Sequence, residues 1–378
     1  MNTKNKLFLI IESMRFPLAF LVVIAHMLPF TNVQIEPNLS IENIYIFISE
    51  MISHNFAKIP VRLFFIISGF FFFLNLDKLN PSSYKEKLSK KLRYLVVPYI
   101  SWNAIMIAAI CIVNYIGALL FARPQNELPT LYDSFWGGPI NFPLWYIRNL
   151  IVIIILSPVI YYFIKYTKIY GLIALYIFYV LFHNNYSHVI EITTVLFFSI
   201  GAYIGLNNID IIAIADKHKK VMAIVSVILL LTATLNSGKP THEYIFRLFI
   251  IPGIITLFNL FNYLFKNQKI RGFLFKFAPT SFFIYVAHEI FIINWIKGAI
   301  HRYSILSTGI GKIISYFVGP IICVIICVIL FNILNRIMPK TLDFITGKRA
   351  RSPKQTASIS AIISENDEGI TISKNTNV

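Results

Sequence analysis

The sequence predicts an all-α polytopic membrane protein with about ten transmembrane helices and both termini in the cytoplasm. Composition is the first observation behind this prediction. Of the 378 residues, 57% are hydrophobic and 13% are charged, and the mean hydropathy of +0.69 exceeds what a water-soluble domain can bury in one core. The second observation is that basic residues cluster at alternate junctions between apolar stretches, as in cytoplasmic loops.

Ten apolar stretches approach or reach the roughly 17 to 25 residues that a helix needs to cross the hydrocarbon layer. The fifth and sixth are the shortest, and the turn between them at 183–188 is the least defined boundary. An even number of spans places both termini on the same side. The predicted spans are 7–29, 58–76, 94–117, 144–163, 170–184, 190–206, 220–236, 246–265, 280–297 and 311–335.

The net charge of +17 is large enough to suggest a nucleic-acid partner, so the positions of the basic residues are decisive. Most of the 34 Lys and Arg residues lie before the first span, in every second junction after it, or in the tail from Arg336 onward. This is the positive-inside pattern of a multi-pass protein, which makes the side with these basic residues cytoplasmic. The charge therefore reflects topology, and no nucleic-acid partner is expected.

Two regions differ in composition. Residues 1–339 form the predicted transmembrane domain, whereas residues 340–378 lack the apolar content for a core and are predicted to be a polar, disordered cytoplasmic tail. The chain start is expected to be a span rather than a signal peptide, because Glu12 and Arg15 interrupt its apolar run and no cleavage pattern follows. The cysteines have neither zinc nor redox spacing, so no metal site is predicted.

Two polar residues, Arg15 and His26, lie eleven positions apart in the first span. Eleven helical steps return to within roughly 20° of the starting direction and rise about 16 Å, so both side chains share one helix face. Glu12 lies three residues before Arg15 and can pair with its guanidinium. Charged groups inside a membrane span are costly and usually functional, so this face is a candidate site.

His26 lies near the outer end of the first span and is the candidate catalytic residue. Its imidazole titrates close to neutral pH, so it can take a proton from a hydroxyl nucleophile. The alternative is an interfacial histidine whose nitrogens are satisfied by water or a backbone carbonyl.

The second candidate feature is an aromatic stretch interrupted by Ser68 and Gly69, with Phe64 and Phe65 just before them. Glycine in a membrane helix permits close backbone approach, or a local break beside a cavity. Cavity formation and simple helix packing are both consistent with this segment.

Basic residues precede the third span, ending with Lys90 and Arg93. An arginine can hold two phosphate oxygens at once, so this stretch could bind a polyphosphate donor such as an acyl-coenzyme A. The alternative is a cytoplasmic loop that contacts lipid headgroups.

Later spans contain further candidates. Trp145 begins the fourth span, where an aromatic anchor at the membrane interface is the default role. Tyr285, His288 and Glu289 lie within one helical turn inside the ninth span. They are either functional ionisable groups or a set of polar side chains that satisfy one another.

This combination resembles the membrane-bound acyltransferase-3 family, which contains bacterial glycan O-acetyltransferases. The family's opening pattern, an arginine, ten residues and a histidine, is matched by Arg15 and His26, with Glu12 at the acidic position. Its later motifs are matched by Phe64 to Phe70, Lys90 with Arg93, Leu144 with Trp145, and Tyr285 to His288.

The resemblance implies transfer of an acyl group, most often acetyl from acetyl-CoA, across the membrane onto a hydroxyl of a cell-surface or lipid-linked glycan. It implies that His26 is catalytic, as general base or as transient acyl carrier. Acetyl-CoA is then a co-substrate, the bilayer and a glycan acceptor are partners, and no bound cofactor or metal is expected. Arg15, Lys90 and Arg93 would hold the donor. The expected cavity and supporting residues are Glu12, Phe64, Phe65, Ser68, Gly69, Trp145, Tyr285 and His288.

Three positions depart from the family pattern. Pro17 follows Arg15 where a small or aliphatic residue is usual, and it is expected to kink the helix by freeing the carbonyl of Ser13. Arg62 stands where an acidic residue or proline is expected, and Lys90 replaces the first arginine of the basic pair.

Two other functions remain open from the sequence. A glycan or lipid transporter without covalent chemistry would use Glu12 and Arg15 for an anionic cargo and His26 for protons. A non-catalytic assembly subunit would use the motif residues structurally. The acceptor, the acyl group and the oligomeric state have no readable sequence pattern.

Overall fold

The computed structural model describes residues 3–29, 31–36, 38–74, 76, 81–121, 129–182 and 191–347. Every regular element in this part of the chain is helical, so the predicted all-α class is confirmed. The helices are α1 (Thr3–Ala25), α2 (Ile41–Ser49), α3 (Ile59–Phe73), α4 (Pro81–Phe121), α5 (Trp145–Ile155), α6 (Ser157–Leu181), α7 (Ile192–Leu206), α8 (Ile211–Lys217), α9 (Lys219–Leu235), α10 (His242–Leu264), α11 (Gln268–Phe277), α12 (Ser281–Ala287), α13 (Ile292–Arg302), α14 (Ser304–Ser307), α15 (Gly309–Ile337) and α16 (Pro339–Ile345).

Six helical segments among the described residues are long and apolar enough to cross a membrane, which fits a multi-pass membrane protein. Two further pairs are bent, α7 with α8 by 111° and the segment Gln268–Ala287 with α13 by 71°, so the number of spans rises to eight if each pair is one span. The structure therefore supports six to eight spans rather than the predicted ten. Part of the difference comes from helices that are short, since α5 contains only 11 residues.

The predicted spans 144–163 and 170–184 fall in α5 and α6, but the chain is divided differently. α5 ends at Ile155, inside the first of these spans, and α6 runs from Ser157 to Leu181 with a kink at Lys168, where φ is 53° and ψ is −137°; this kink lies in the predicted junction between the two spans. A lysine rarely adopts a positive φ, so Lys168 separates two helical halves. The predicted turn at 183–188 lies outside the described residues.

α1 is the central helix of the fold. In the most apolar stretch of α1, 67% of the residues are buried inside the protein. The corresponding fraction for α4 is 6%, so α4 is a peripheral helix. α1 continues as one helix from Thr3 to Ala25 through Pro17. Just before that proline, Ser13 donates its hydroxyl proton to the carbonyl of Ile10 at 2.7 Å.

The helices α3 and α7 pack with their backbones in close contact. A Cβ atom built on Gly69 would lie 2.1 Å from the carbonyl oxygen of Phe198, and one on Gly201 would lie 1.9 Å from that of Ile66. No side chain fits at either position. Gly69 therefore serves helix packing, which is one of the two roles predicted for it.

The end of the described chain packs on the domain beyond the predicted boundary at residue 339. α16 covers residues that the sequence assigns to the polar tail, and its Leu342 is buried. Trp102 of α4 donates its indole proton to the carbonyl of Ile345 at 2.8 Å. The buried Leu342 and the hydrogen bond to Ile345 therefore hold α16 against the domain, although the sequence assigned these residues to the polar tail. Residues 348–378 lie outside the described part of the chain.

Candidate active site

Three ionisable side chains meet just beyond the C-terminal end of α1. His26 follows the last residue of the helix, and its Nδ1 lies 2.9 Å from Oε2 of Glu289. A carboxylate accepts, so Nδ1 is the protonated nitrogen when the ring is neutral, and Nε2 carries the lone pair. This is the arrangement in which a carboxylate orients a histidine that acts as a base.

His288 completes this group, which we call the His–His–Glu cluster (His26, His288 and Glu289). Its side chain is fully buried, and Nδ1 donates to the carbonyl of Ile284 at 3.0 Å. The lone pair on Nε2 therefore faces the cluster, 3.9 Å from Oε2 of Glu289, with no hydrogen-bond partner among the described residues. The two imidazole rings are nearly perpendicular, with centroids 4.9 Å apart.

A strained turn presents Glu289 to His26. The chain leaves α12 at Ala287 and enters α13 at Ile292, and Phe291 between them has φ 60°. A left-handed conformation costs a bulky residue about 1 to 2 kcal/mol. The amide of Ile293 donates to the carbonyl of His288 at 3.0 Å and closes the turn.

A π-helix, Glu50–Asn55, holds the chain on both sides of His26. The Ser53 hydroxyl donates to the carbonyl of Ile24 at 2.9 Å, and Nε2 of His54 donates to the carbonyl of Pro29 at 2.8 Å. Nδ1 of His54 lies 2.8 Å from Oε1 of Glu50, so the whole segment is internally bonded. Short π-helical segments occur frequently at functional sites, and this one fixes the position of His26.

The segment before α5 is hydrogen-bonded to α12 next to the cluster. Asn141 donates its amide to the carbonyl of Val286 at 2.9 Å, and the Tyr285 hydroxyl donates to the carbonyl of Pro143. Between these two bonds, the Phe142 ring contacts the His26 ring edge-on, with centroids 5.8 Å apart.

A cavity of about 390 Å³ lies between α1, α3, α4, α5 and α12. Arg15 and Glu12 form an ion pair at 2.9 Å on its wall, and the Ser68 and Tyr146 hydroxyls are 3.2 Å apart across another part of it. The lining residues are Phe8, Ile11, Glu12, Arg15, Ala19, Phe64, Ile67, Ser68, Phe71, Lys91, Leu95, Tyr146, Ile147, Leu150, Ser281, Phe282 and Tyr285.

Two of these elements continue from the cavity towards the cluster. Along α1 the lining positions Glu12, Arg15 and Ala19 repeat at helical spacing, and His26 lies seven residues further on the same face. Along α12, Tyr285 lines the cavity and His288 follows one turn later. His26, His288 and Glu289 do not line the cavity themselves, but they follow its lining residues along α1 and α12.

Comparison with known proteins gives this arrangement a reaction class. The family model that describes an acyltransferase domain, acyltransferase-3, matches residues 8–332. The chain belongs to the acyltransferase-3 family. That range includes every residue of the cavity and the cluster, so the site lies within the matched acyltransferase domain.

One curated relative of this acyltransferase-3 chain is the succinoglycan biosynthesis protein ExoH of Rhizobium meliloti (strain 1021). The two proteins are 23% identical over 362 residues, which cover 90% of this chain and 92% of that protein. No solved structure matches the chain.

Within this acyltransferase domain, the structure brings together five of the residues singled out from the sequence. They line the cavity and are Glu12, Arg15, Phe64, Ser68 and Tyr285. Phe65 is buried one step behind them, with its ring centroid 4.6 Å from that of Tyr146. Trp145 is half-buried at the start of α5, next to the lining residue Tyr146.

The two basic residues expected to hold a donor, Lys90 and Arg93, do not line the cavity. Lys90 pairs with Glu86 at 2.5 Å on the exposed face of α4, and Arg93 is exposed as well. Their neighbour Lys91 lines the cavity instead, four residues before the lining residue Leu95. Because a helix turns about 100° per residue, one position decides which lysine lies beside the cavity, although the side chains of both lysines are exposed.

Glu289 is the member of the cluster that the sequence analysis did not include among the expected site residues. The sequence grouped it with its neighbours Tyr285 and His288, but its partner at 2.9 Å is His26, from the other end of the chain. No spacing rule could show that pairing. The cluster also has metal-binding potential, since the three ligand atoms lie within 4.8 Å of one another.

Proposed function

We propose that the protein transfers an acetyl group from acetyl-CoA to a hydroxyl of a cell-surface or lipid-linked glycan in the bacterial cytoplasmic membrane. Membership of the acyltransferase-3 family supports the reaction class. The name of the relative, a succinoglycan biosynthesis protein, supports a glycan acceptor. The observation that carries the mechanism is the bond between His26 and Glu289 just beyond the end of α1.

The donor binds at the cationic end of the cavity. Arg15 and Lys91 face the same space, and an arginine and a lysine together match the several phosphate oxygens of coenzyme A. The ion pair with Glu12 fixes the guanidinium of Arg15 before the donor arrives. Lys90 and Arg93 on the outer face of α4 add positive charge near the entrance, which attracts an anionic donor.

The acceptor reacts at the cluster. Nε2 of His26 takes the proton of the acceptor hydroxyl as its oxygen attacks the thioester carbonyl, and the carboxylate of Glu289 stabilises the resulting imidazolium. The C–S bond then breaks, and His26 returns the proton to the leaving thiolate. The products are the glycan ester and free coenzyme A.

The same geometry serves a two-step route. Nε2 of His26 attacks the thioester carbonyl, the C–S bond breaks, and coenzyme A leaves as the thiolate. The acetyl group then passes from the ring nitrogen to the glycan hydroxyl, whose proton moves to Nε2 and from there to the thiolate. The hydrogen bond from Nδ1 to Glu289 stabilises the charge that develops on the ring in both routes. The separation of about 16 Å along α1 between Arg15 and His26 suits a donor and an acceptor that approach from opposite ends.

The deciding experiment compares surface glycans by mass spectrometry in cells that lack the gene and cells that express the wild type, His26→Ala or His218→Ala. His218 is an exposed histidine between α8 and α9 and serves as the matched control. We expect acetylated glycan with the wild type and the control, and none with His26→Ala at equal protein levels. Unchanged acetylation in His26→Ala contradicts the assignment.

The same samples distinguish between a transporter and an enzyme. A transporter changes the amount of exported glycan without changing its mass, whereas the enzyme adds a fixed mass per hydroxyl. The added mass also identifies the acyl group, since acetyl and succinyl differ.

A further inference from the structure

We propose that the His–His–Glu cluster binds a zinc ion, and that this ion inhibits acyl transfer by occupying His26. The sequence gives no indication of such a site, because its ligands come from opposite ends of the chain. Two histidines and one carboxylate are a ligand set that zinc accepts, with a fourth position left for water.

Distances support a tetrahedral ion. Zinc bonds of about 2.0 to 2.2 Å place neighbouring tetrahedral ligands about 3.4 Å apart. Oε2 of Glu289 lies 2.9 Å from Nδ1 of His26 and 3.9 Å from Nε2 of His288. The three ligand atoms all lie within 4.8 Å of one another, so the two histidine nitrogens have to approach each other by up to about 1.4 Å to complete the site.

The hydrogen bonding of His288 leaves its Nε2 able to bind a metal ion. Its Nδ1–H donates to the carbonyl of Ile284, the outer-shell hydrogen bond that metal-binding histidines usually make. That bond leaves the lone pair of Nε2 directed into the cluster, fully buried and without a hydrogen-bond partner among the described residues. A buried acceptor with no partner is costly, and a cation between it and Glu289 removes that cost.

The other buried histidine–carboxylate pair shows why this cluster differs. Nδ1 of His54 is bonded to Glu50 and its Nε2 to the carbonyl of Pro29, so both ring nitrogens have structural partners. A metal there would have to break the bonds that hold the π-helix.

Zinc at the cluster has a defined chemical consequence, which rests on the proposed function. The ion takes the place of the proton on Nδ1 of His26, and that proton moves to Nε2 of the same ring. Nε2 then donates rather than accepts, so it can neither deprotonate a hydroxyl nor attack a thioester. Binding needs no other reactant and changes no oxidation state.

Metal binding is measured directly on the purified full-length protein in detergent after chelator treatment. Zinc is titrated by calorimetry, and cobalt(II), which occupies tetrahedral zinc sites, is followed by its visible absorption. The variants are Glu289→Gln and His288→Gln, with His218→Gln as the control. Glu289→Gln should disturb folding less than His288→Gln, because the Glu289 side chain is partly exposed whereas that of His288 is buried.

We expect one zinc ion per chain in the wild type and in His218→Gln, and at least about tenfold weaker binding in both cluster variants. Absence of zinc binding to the wild type, or equal affinity in the wild type and both cluster variants, overturns the proposal. Acyl transfer is then measured with and without zinc. Binding through the cluster in a protein that transfers no acyl group confirms the metal site and contradicts the proposed function instead.

Discussion

Nδ1 of His26 and Oε2 of Glu289 lie 2.9 Å apart although the two residues are separated by 263 positions in the chain. The bond joins the end of α1 to the turn between α12 and α13, and the strained Phe291 lies in that turn. Because a carboxylate on Nδ1 fixes which ring nitrogen is basic, this one contact decides what His26 can do.

The first prediction concerns that contact. Glu289→Gln keeps a hydrogen-bonding side chain of the same size but removes the negative charge that stabilises the imidazolium, so the turnover rate should fall about 10²- to 10⁴-fold. The affinity for acyl-CoA should change little, because Glu289 lies outside the cavity lining. Steady-state transfer assays with Glu42→Gln as a control measure both values. A turnover rate within twofold of the wild type argues against a histidine–carboxylate pair.

The second prediction tests which lysine contacts the donor. Lys91→Ala should raise KM for acyl-CoA about tenfold, because it removes a charged hydrogen-bond donor from the cavity wall. Lys90→Ala should leave KM nearly unchanged, because Lys90 is exposed and paired with Glu86. Measuring both variants in one assay makes each the control of the other. The reverse order would assign donor binding to the outer face of α4.

The third prediction concerns the contact between α3 and α7. Gly69→Ala places a methyl group 2.1 Å from the carbonyl oxygen of Phe198, so the helices must separate. Overpacking of this kind typically costs about 1 to 3 kcal/mol of stability. Gly298→Ala is the matched control, because its added Cβ meets nothing within 4 Å. Thermal unfolding in detergent should show a lower Tm for Gly69→Ala only; equal Tm values would contradict the close contact.

Sequence reasoning predicted most of the helices and much of the cavity. Hydropathy locates the long apolar helices, and Glu12 and Arg15, which helical spacing placed on one face, both line the cavity. It fails where a helix is short, as at α5, which ends at Ile155 inside the predicted span 144–163, because such an early end depends on packing against other helices.

The same limit applies to the site. Motif position alone cannot distinguish Lys90 from Lys91, since a small rotation of α4 decides which one faces the cavity. Long-range pairs such as His26 with Glu289 are decided by tertiary packing, and one sequence contains no record of which distant residues meet. The positive φ of Phe291 could not be predicted either, because this conformation is expected for glycine or asparagine and not for phenylalanine.

The fourth prediction concerns how His26 is held. Ser53 donates its hydroxyl to the carbonyl of Ile24, two residues before His26, and also lies 2.7 Å from the Tyr316 hydroxyl. Ser53→Ala removes both bonds without adding volume. Because the end of α1 then has one anchor fewer, the imidazole should spend less time aligned, and kcat should fall about tenfold while KM for acyl-CoA stays constant.

Ser49→Ala is the control for this positioning role. Ser49 is buried in the helix that precedes the π-helix, and it donates to the carbonyl of Ile46 in its own helix rather than to α1. Ser49→Ala loses one hydrogen bond and should lower stability by about 1 kcal/mol, and Ser53→Ala loses two and should lower it by about 2 kcal/mol. Only Ser53→Ala should lower kcat, since only that bond reaches the segment that holds His26. An equal loss of kcat in both variants would show that reduced stability, and not the alignment of His26, limits turnover.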